Sequence, residues 1–474
     1  MSKLSPYLLP LVLAFTMTFC GCGGGAPPPD PSSWRVVVFS DLHFNALYDR
    51  TLYAQLAASD PTQWDSIFQT SKITAPSSWG SDTNYPLLQL ALTAIKQQAS
   101  AGGPVLLFTG DLLGHGLPDF FYLGYCQTQK CSDPPGPEQT AAMQAFIDKT
   151  VLYVTSKVRA AAGQAPVLFA VGNIDSYSTD GPNTDFLTRN AATFYTQFLN
   201  GAIDQQAFLS TFTGGGYYSA SLPGINVLFV SLDSDSFVSG WPGDPDAELA
   251  WLDSQLAAAR AAGQKVWLLM HVPPGADTQE TANNAAAAGT PNKVTATTTS
   301  MMWQASYQTT FLQTLQKYPG LVTFAFGGHT HMDEYRIVGG IVLSQSPSIT
   351  PWFGNNPAFR LFTIKRDTWL PTDYQSFYFD LAAPPAQFNW LYTFSTTYGL
   401  YDNLPASFTQ LYPRLTSDST MQGTYMYLYN SANTTDNKLT KAPWDPVNDA
   451  NWPIFACGIS HMDMQGYMDC VNSY

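Results

Sequence analysis

Short apolar runs of strand type alternate with helix-length stretches along most of this chain, and five of the runs end on a side chain able to bind a metal. Trp34–Ser40 (WRVVVFS) leads into Asp41-Leu42-His43, Pro104–Thr109 (PVLLFT) into Gly110-Asp111, and Pro166–Val171 (PVLFAV) into Gly172-Asn173-Ile174-Asp175. Further on, Lys265–Met270 leads into His271, and Leu321–Phe326 into Gly327-Gly328-His329-Thr330-His331. Runs of this length, rich in β-branched and aromatic residues and bounded by Gly or Pro, read as buried strands. Helical spacing fills the gaps, at Tyr85–Ser100, Gln139–Ala162 and Asp244–Ala262. The last has an Asp start, Pro just inside and Gly263 just past its end, the expected polarity of a helix.

Strands alternating with helices imply an α/β fold. Tyr217–Ala220 with Ile225–Ser231 reads as a hairpin, and Ile341–Ser344, Phe359–Lys365 and Phe377–Leu381 as antiparallel strands. The expected architecture is therefore a mixed sheet, or two sheets. The polar stretch Ala276–Ser300 reads as a lid or a disordered insert. From Ala382 onward the chain is aromatic, Pro- and Asn-rich with weak periodicity, which predicts a helical or irregular appendage.

Ligands gather at the carboxyl ends of strands in open α/β sheets. Of only six histidines in the chain, four stand in this set: His43, His271, His329 and His331. A fifth, His115, follows Asp111 closely. His, Asp and Asn donors suit borderline divalent ions, zinc first and iron or manganese next. Seven donors are too many for one tetrahedral ion but suit two ions sharing a carboxylate.

The termini and cysteines bear on location. Lys3 followed by the mostly apolar Tyr7–Phe19 reads as an export signal, too short for a comfortable membrane span. Phe19-Cys20-Gly21-Cys22 resembles a bacterial lipobox with Cys22 as the lipidated residue, although Phe19 stands where Leu is usual. Residues 1–22 are thus the expected signal, 23–33 a Gly/Pro tether, 34–381 the main domain and 382–474 the C-terminal part. An even number of remaining cysteines in an exported chain favours local disulfides, Cys126 with Cys131 and Cys457 with Cys470. The formal net charge of −14, with 21 Lys plus Arg, argues against binding to a nucleic-acid duplex. The expected location is the bacterial cell envelope or the secreted fraction.

Taken together, Asp41-x-His43, Gly110-Asp111, Gly172-Asn173, His271 and Gly328-His329-x-His331 resemble the five-block signature of calcineurin-like metallophosphoesterases. Finer features resemble the acid sphingomyelinase-like phosphodiesterase branch. These are Ser40-Asp41-Leu42-His43, His115 after Gly110-Asp111, His271-Val272-Pro273-Pro274-Gly275, and Ser346-Pro347-Ser348-Ile349-Thr350 leading to Asn356-Pro357-Ala358-Phe359-Arg360. The resemblance implies two mixed β-sheets packed as a sandwich flanked by helices. It implies one ion held by Asp41, His43, Asp111 and His331, and another by Asp111, Asn173, His271 and His329. Asp111 would bridge them, and a hydroxide between the ions would attack phosphorus. Phosphodiester or phosphoanhydride hydrolysis is the implied activity, on a small-molecule or lipid-headgroup substrate, by a monomer. A phosphomonoesterase on the same fold and a degenerate, non-catalytic surface binding protein are the alternatives.

One departure stands out. The family's third block carries His after Gly-Asn, a residue that contacts phosphate and helps protonate the leaving group; here it is Ile174. His115 is the expected acid in its place and Asp175 a second catalytic candidate, or else a residue holding a neighbouring amide. Tyr48, Tyr177 and Trp352 are candidates to line the groove by nearness to the motifs alone.

Overall fold

The computed structural model describes residues 30–100, 102–178, 180–435 and 447–474. The expected export signal and Cys22 lie outside the described residues, as does most of the 23–33 tether. Among the described residues no helix is long and apolar enough to cross a membrane.

Two six-stranded sheets form the centre of the molecule. The first contains β1 (Ser33–Phe39), β2 (Leu106–Phe108), β3 (Val167–Phe169), β10 (Ala358–Lys365), β11 (Pro371–Tyr378) and β12 (Asn389–Thr393), in the order β12-β11-β10-β1-β2-β3. The second contains β4 (Tyr218–Ser221), β5 (Val227–Ser231), β6 (Lys265–Leu269), β7 (Val322–Gly327), β8 (Glu334–Val338) and β9 (Ile341–Gln345), in the order β4-β5-β6-β7-β9-β8. Both are mixed: β1-β2-β3 and β5-β6-β7-β9 run parallel, and the other pairings are antiparallel.

The sheets pack face to face through aromatic side chains. Phe362 of β10 meets Phe326 of β7 edge-on at 5.3 Å between centroids and Phe324 at 6.1 Å, geometry that aromatic pairs favour. At one edge the sheets are stitched by hydrogen bonds: Ser231 Oγ donates to the Phe169 carbonyl at 2.7 Å, and Tyr218 OH accepts from the Phe169 N–H at 2.8 Å. Helices cover the outer faces. On the second sheet, Leu252 and Leu256 from the helix Pro245–Ala262 and Phe311 from the helix Ala305–Lys317 bury a separate apolar layer. Asp244 caps the former by accepting the Ala247 N–H at 3.1 Å, and Gly263 ends it in the left-handed conformation at φ 67°.

Several elements differ from expectation. The polar stretch after Ala276 contains a helix, Thr278–Ala287, in which Asp277 accepts the Glu280 N–H at 2.8 Å. Alanine-rich composition and an Asp cap stabilise it, so the stretch is not a disordered insert. Strand β8 was not expected, and the strand read at Phe377–Leu381 is instead Pro371–Tyr378. The sheet also takes its outer strand, β12, from beyond residue 381, so the appendage and the main domain share a sheet. The rest of the C-terminal part is helical, including Leu404–Ser417, Ser419–Tyr429, Trp452–Gly458 and Met464–Ser473. Disulfides join Cys126 to Cys131 and Cys457 to Cys470.

Candidate metal centre

All five strand ends point to one place. β1, β2 and β3 deliver Asp41, His43, Asp111 and Asn173 from the first sheet, while β6 and β7 deliver His271, His329 and His331 from the second. The backbone extends the pairing past the strands proper, with the Asp41 N–H donating to the Gly110 carbonyl at 2.9 Å and the His43 N–H to the Asp111 carbonyl at 3.0 Å. The Ser346–Thr350 motif runs alongside: the Ile349 N–H donates to the Ser40 carbonyl and the Thr350 N–H to the Asp41 carbonyl.

Crowding at this junction requires small residues. A Cβ on Gly172 would sit 2.3 Å from the Asp111 nitrogen, and one on Gly110 would sit 2.6 Å from His271 Nδ1. Asp41, His43, Asp111, His329 and His331 all adopt positive φ, between 39° and 73°. Non-glycine residues rarely do so, and such strain collects at functional sites.

Two groups of donor atoms meet at Asp111 Oδ2, which lies 3.2 Å from His43 Nε2 and 3.1 Å from His271 Nε2. On one side, His331 Nε2 lies 3.2 Å from His43 Nε2 and 3.4 Å from Asp41 Oδ1. On the other, Asn173 Oδ1 lies 3.0 Å from both His271 Nε2 and His329 Nδ1. Six of the seven residues are under one-tenth exposed; His329 alone is more open.

Backbone carbonyls orient the rings. His271 Nδ1–H donates to the Thr109 carbonyl at 2.7 Å, and His43 Nδ1–H to the Leu113 carbonyl at 3.1 Å. Each bond leaves Nε2 facing the centre as the free ring nitrogen, the arrangement of a metal-binding histidine.

Charge is poorly balanced by the protein alone. Burial opposes a charge on His43, but the Asp111 and Asp41 carboxylates outweigh it and lift its pKa to about 10. His271 is raised in the same way against burial, chiefly by Asp111. Burial would raise Asp111, yet the His271 and His43 rings hold it well below the usual carboxylate range. Burial and the neighbouring His271 push His329 down to about 3, and burial with His43 pushes His331 far down. His329 and His331 are thus held neutral, whereas His43 and His271 keep a proton that a cation would replace; with Asp41 Oδ2 and His331 Nδ1 buried and without hydrogen-bond partners, two carboxylates among four imidazoles form a donor set that divalent cations fit.

His115 stands beside this centre. Its Nδ1 pairs with Asp82 Oδ1 at 2.7 Å, and its ring is stacked between His43, at 4.0 Å, and Trp352, at 4.3 Å. Asp175 does not reach the cavity, contrary to the expectation of a catalytic role. Its carboxylate accepts the N–H groups of Leu112 at 2.8 Å, Leu113 at 3.3 Å and Gly172 at 3.0 Å, so it shapes the two loops that carry Asp111 and Asn173. The strand end supplies unpaired N–H groups, and the buried carboxylate satisfies them.

A cavity of about 250 Å³ opens over the centre. Asp111, Asn173, His329 and His331 form part of its wall, with His115, Ile174 and Trp352. Tyr48 lines a different pocket, and Tyr177 a neighbouring one. Sequence reasoning missed Asp82, which no motif marks. It also missed Tyr429, which the appendage brings into the cavity wall through the Asp333 N–H bond to the Tyr429 carbonyl at 2.8 Å.

Comparison with known proteins agrees with this geometry. The model of the calcineurin-like phosphoesterase family matches residues 35–333. Sphingomyelinase phosphodiesterase C of Dictyostelium discoideum is 23% identical over 372 residues, covering 72% of this chain and 75% of its own. Human sphingomyelin phosphodiesterase is 24% identical over 437 residues, covering 84% of this chain but 60% of its own length. Human acid sphingomyelinase-like phosphodiesterase 3b is 22% identical over 493 residues, covering 97% of this chain and 94% of its own. With more than half of its length inside the family match, the chain belongs to the calcineurin-like phosphoesterases, on their acid sphingomyelinase-like branch.

Proposed function

We propose that the protein is an exported, envelope-anchored hydrolase that cleaves phosphodiesters with two divalent ions, zinc foremost. The observation that carries this reading is Asp111 Oδ2, placed within 3.2 Å of one ring nitrogen from each donor group. Asp41, His43, Asp111 and His331 would hold one ion, and Asp111, Asn173, His271 and His329 the other. Two such ions supply an activated water and neutralise charge on a phosphoryl group. Oxidising conditions, to which the disulfides are suited, fit export. The names of the relatives point to a sphingomyelin-type headgroup as one substrate class.

The protein's own residues do the remaining work. Asp175 and the glycines hold the ligand loops in place. His115, oriented by Asp82 and stacked between His43 and Trp352, is the acid that protonates the departing oxygen. General acid help is worth roughly 10²–10⁴-fold, and His115 has to supply it alone, without the second histidine that the family carries where Ile174 stands here. Leaving groups that need a proton therefore suffer most, whereas nitrophenolate leaves without one. Accordingly, Ile174→His is expected to raise turnover of a choline or alkyl diester by about 10²-fold and to change nitrophenyl diester turnover much less. No rise on the alkyl diester would contradict that account of Ile174.

Kinetics on bis(4-nitrophenyl) phosphate against 4-nitrophenyl phosphate test the activity itself. The diester is expected to have the higher kcat/KM. Preference for the monoester would establish a phosphomonoesterase, and hydrolysis of neither would leave the fold as a binding module.

A further inference from the structure

Thr330 stands between His329 and His331, which belong to the donor groups on either side of Asp111, and it forms part of the cavity wall over the centre. Two residues behind it decide what its hydroxyl can do. Gln345, the last residue of β9, lies beside Gly327 at the end of β7 and is fully buried. Its amide bridges Arg336 and Thr330: Arg336 Nε donates to Gln345 Oε1 at 3.0 Å, and Gln345 Nε2 donates to Thr330 Oγ1 at 3.0 Å. Arg336 has donors only, so the amide oxygen has to face the arginine and the amide N–H the threonine. Arg336 is itself fixed, being 1% exposed and donating through Nη1 to the Pro274 carbonyl at 2.6 Å, in the segment that follows His271. Thr330 Oγ1 therefore accepts from behind and keeps its own proton to give. Among the described residues that proton has no acceptor.

We propose that the Thr330 hydroxyl donates a hydrogen bond to a non-bridging oxygen of the substrate's phosphoryl group, and that Gln345 and Arg336 are positioning residues that keep its proton turned to the cavity. The inference rests on the phosphodiesterase reading and adds a contact to the substrate from outside the seven ligand candidates. Place favours a phosphoryl oxygen as the acceptor, because a phosphoryl group seated over Asp111 lies beside the residue between His329 and His331. Charge favours it too. Among the described residues no Lys or Arg lines the cavity, so an anionic oxygen there depends on neutral donors, and an ionised acceptor makes the stronger hydrogen bond. Other donors are scarce: the Ile174 side chain has none, and Asn173 Nδ2 already donates to Asp180 Oδ1 at 2.8 Å. A hydroxyl held by a buried relay needs no reorientation as charge builds on the phosphoryl oxygens, the condition under which a single donor contributes most.

Thr330→Val removes the hydroxyl at nearly constant shape. Its kcat/KM for bis(4-nitrophenyl) phosphate is expected to fall about 10²-fold. Calorimetry is expected to show about tenfold weaker binding of inorganic phosphate to the zinc-loaded variant, with zinc content unchanged. Thr330→Ser, which keeps the donor, is expected to recover most of both losses. Gln345→Glu tests the relay with the threonine intact. Its carboxylate still accepts from Arg336 but can only accept from Thr330, so the threonine proton turns away from the cavity and the same two losses are expected. Both substitutions remove one and the same hydrogen bond. Combining Thr330→Val with Gln345→Glu is therefore expected to cost no more than about threefold beyond the lower single variant, whereas independent structural damage would multiply.

Wild-type values of both readings in Thr330→Val, or a loss of its zinc, would overturn the contact. Wild-type behaviour of Gln345→Glu, or multiplying losses in the double variant, would overturn the relay. Weakened phosphate binding by Thr330→Val in a protein that hydrolyses no diester would support the contact and overturn the phosphodiesterase reading on which its role rests.

Discussion

Asp111→Asn is expected to lower phosphodiester turnover by about 10³-fold or more, with a parallel loss of bound metal. Asp111 Oδ2 is the atom that approaches His43 Nε2 and His271 Nε2 together, and a neutral amide there removes the charge shared by both donor groups. Metal-derived stabilisation of a phosphoryl transition state is worth several kcal/mol, and about 1.4 kcal/mol corresponds to each tenfold in rate. The substitution preserves local structure, because Asp111 Oδ1 accepts the Ile174 N–H at 2.8 Å and an amide oxygen can accept the same bond. Measuring kcat/KM together with metal content separates loss of chemistry from loss of fold. Activity within tenfold of wild type would contradict a bridging role.

The largest stability effect is expected at Arg360. This residue of β10 is 1% exposed, donates to Ser344 Oγ of β9 at 2.5 Å and pairs with Asp333, so it links the two sheets next to the His331 loop. Tyr392 OH also donates to Asp333, at 2.9 Å. Burial keeps Asp333 above the usual carboxylate range even with Arg360 beside it, so the aspartate depends on its partner. Removing one member of a buried ion pair leaves the other uncompensated and costs about 3–5 kcal/mol. Arg360→Ala is expected to reduce unfolding free energy by that amount in denaturant titration. Arg360→Met combined with Asp333→Leu should recover most of the loss, since apolar replacement of a whole pair is often close to neutral. A single-variant loss under about 1 kcal/mol would show that the pair contributes little.

The side chains that gather at the candidate metal centre could be read from the sequence because each follows an apolar strand closely. The strand periodicity and the Gly-Asp, Gly-Asn and Gly-Gly-His steps mark both the turn and the residue it presents. The helix Pro245–Ala262 was equally clear, since Asp244 and Gly263 mark its two ends. Strand β8 was hidden because its charged residues Glu334 and Arg336 are buried, at 6% and 1% exposure, and nothing local marks charged positions as interior. β12 was hidden because Asn389–Thr393 is a five-residue strand inside an irregular, aromatic stretch. Asp175 misled for a different reason: its place after Asn173 fits a catalytic group, but its role depends on N–H groups more than sixty residues away in sequence. Contacts of that kind, like those of Asp82 and Tyr429, are made by the fold and leave no local pattern.

Titrating metal-free protein with zinc while following bis(4-nitrophenyl) phosphate hydrolysis tests the central claim most directly. Activity is predicted to be absent without metal and to rise to its maximum as two equivalents bind per chain. Full activity without metal, or saturation of the site with no hydrolysis under zinc, iron or manganese, would contradict it.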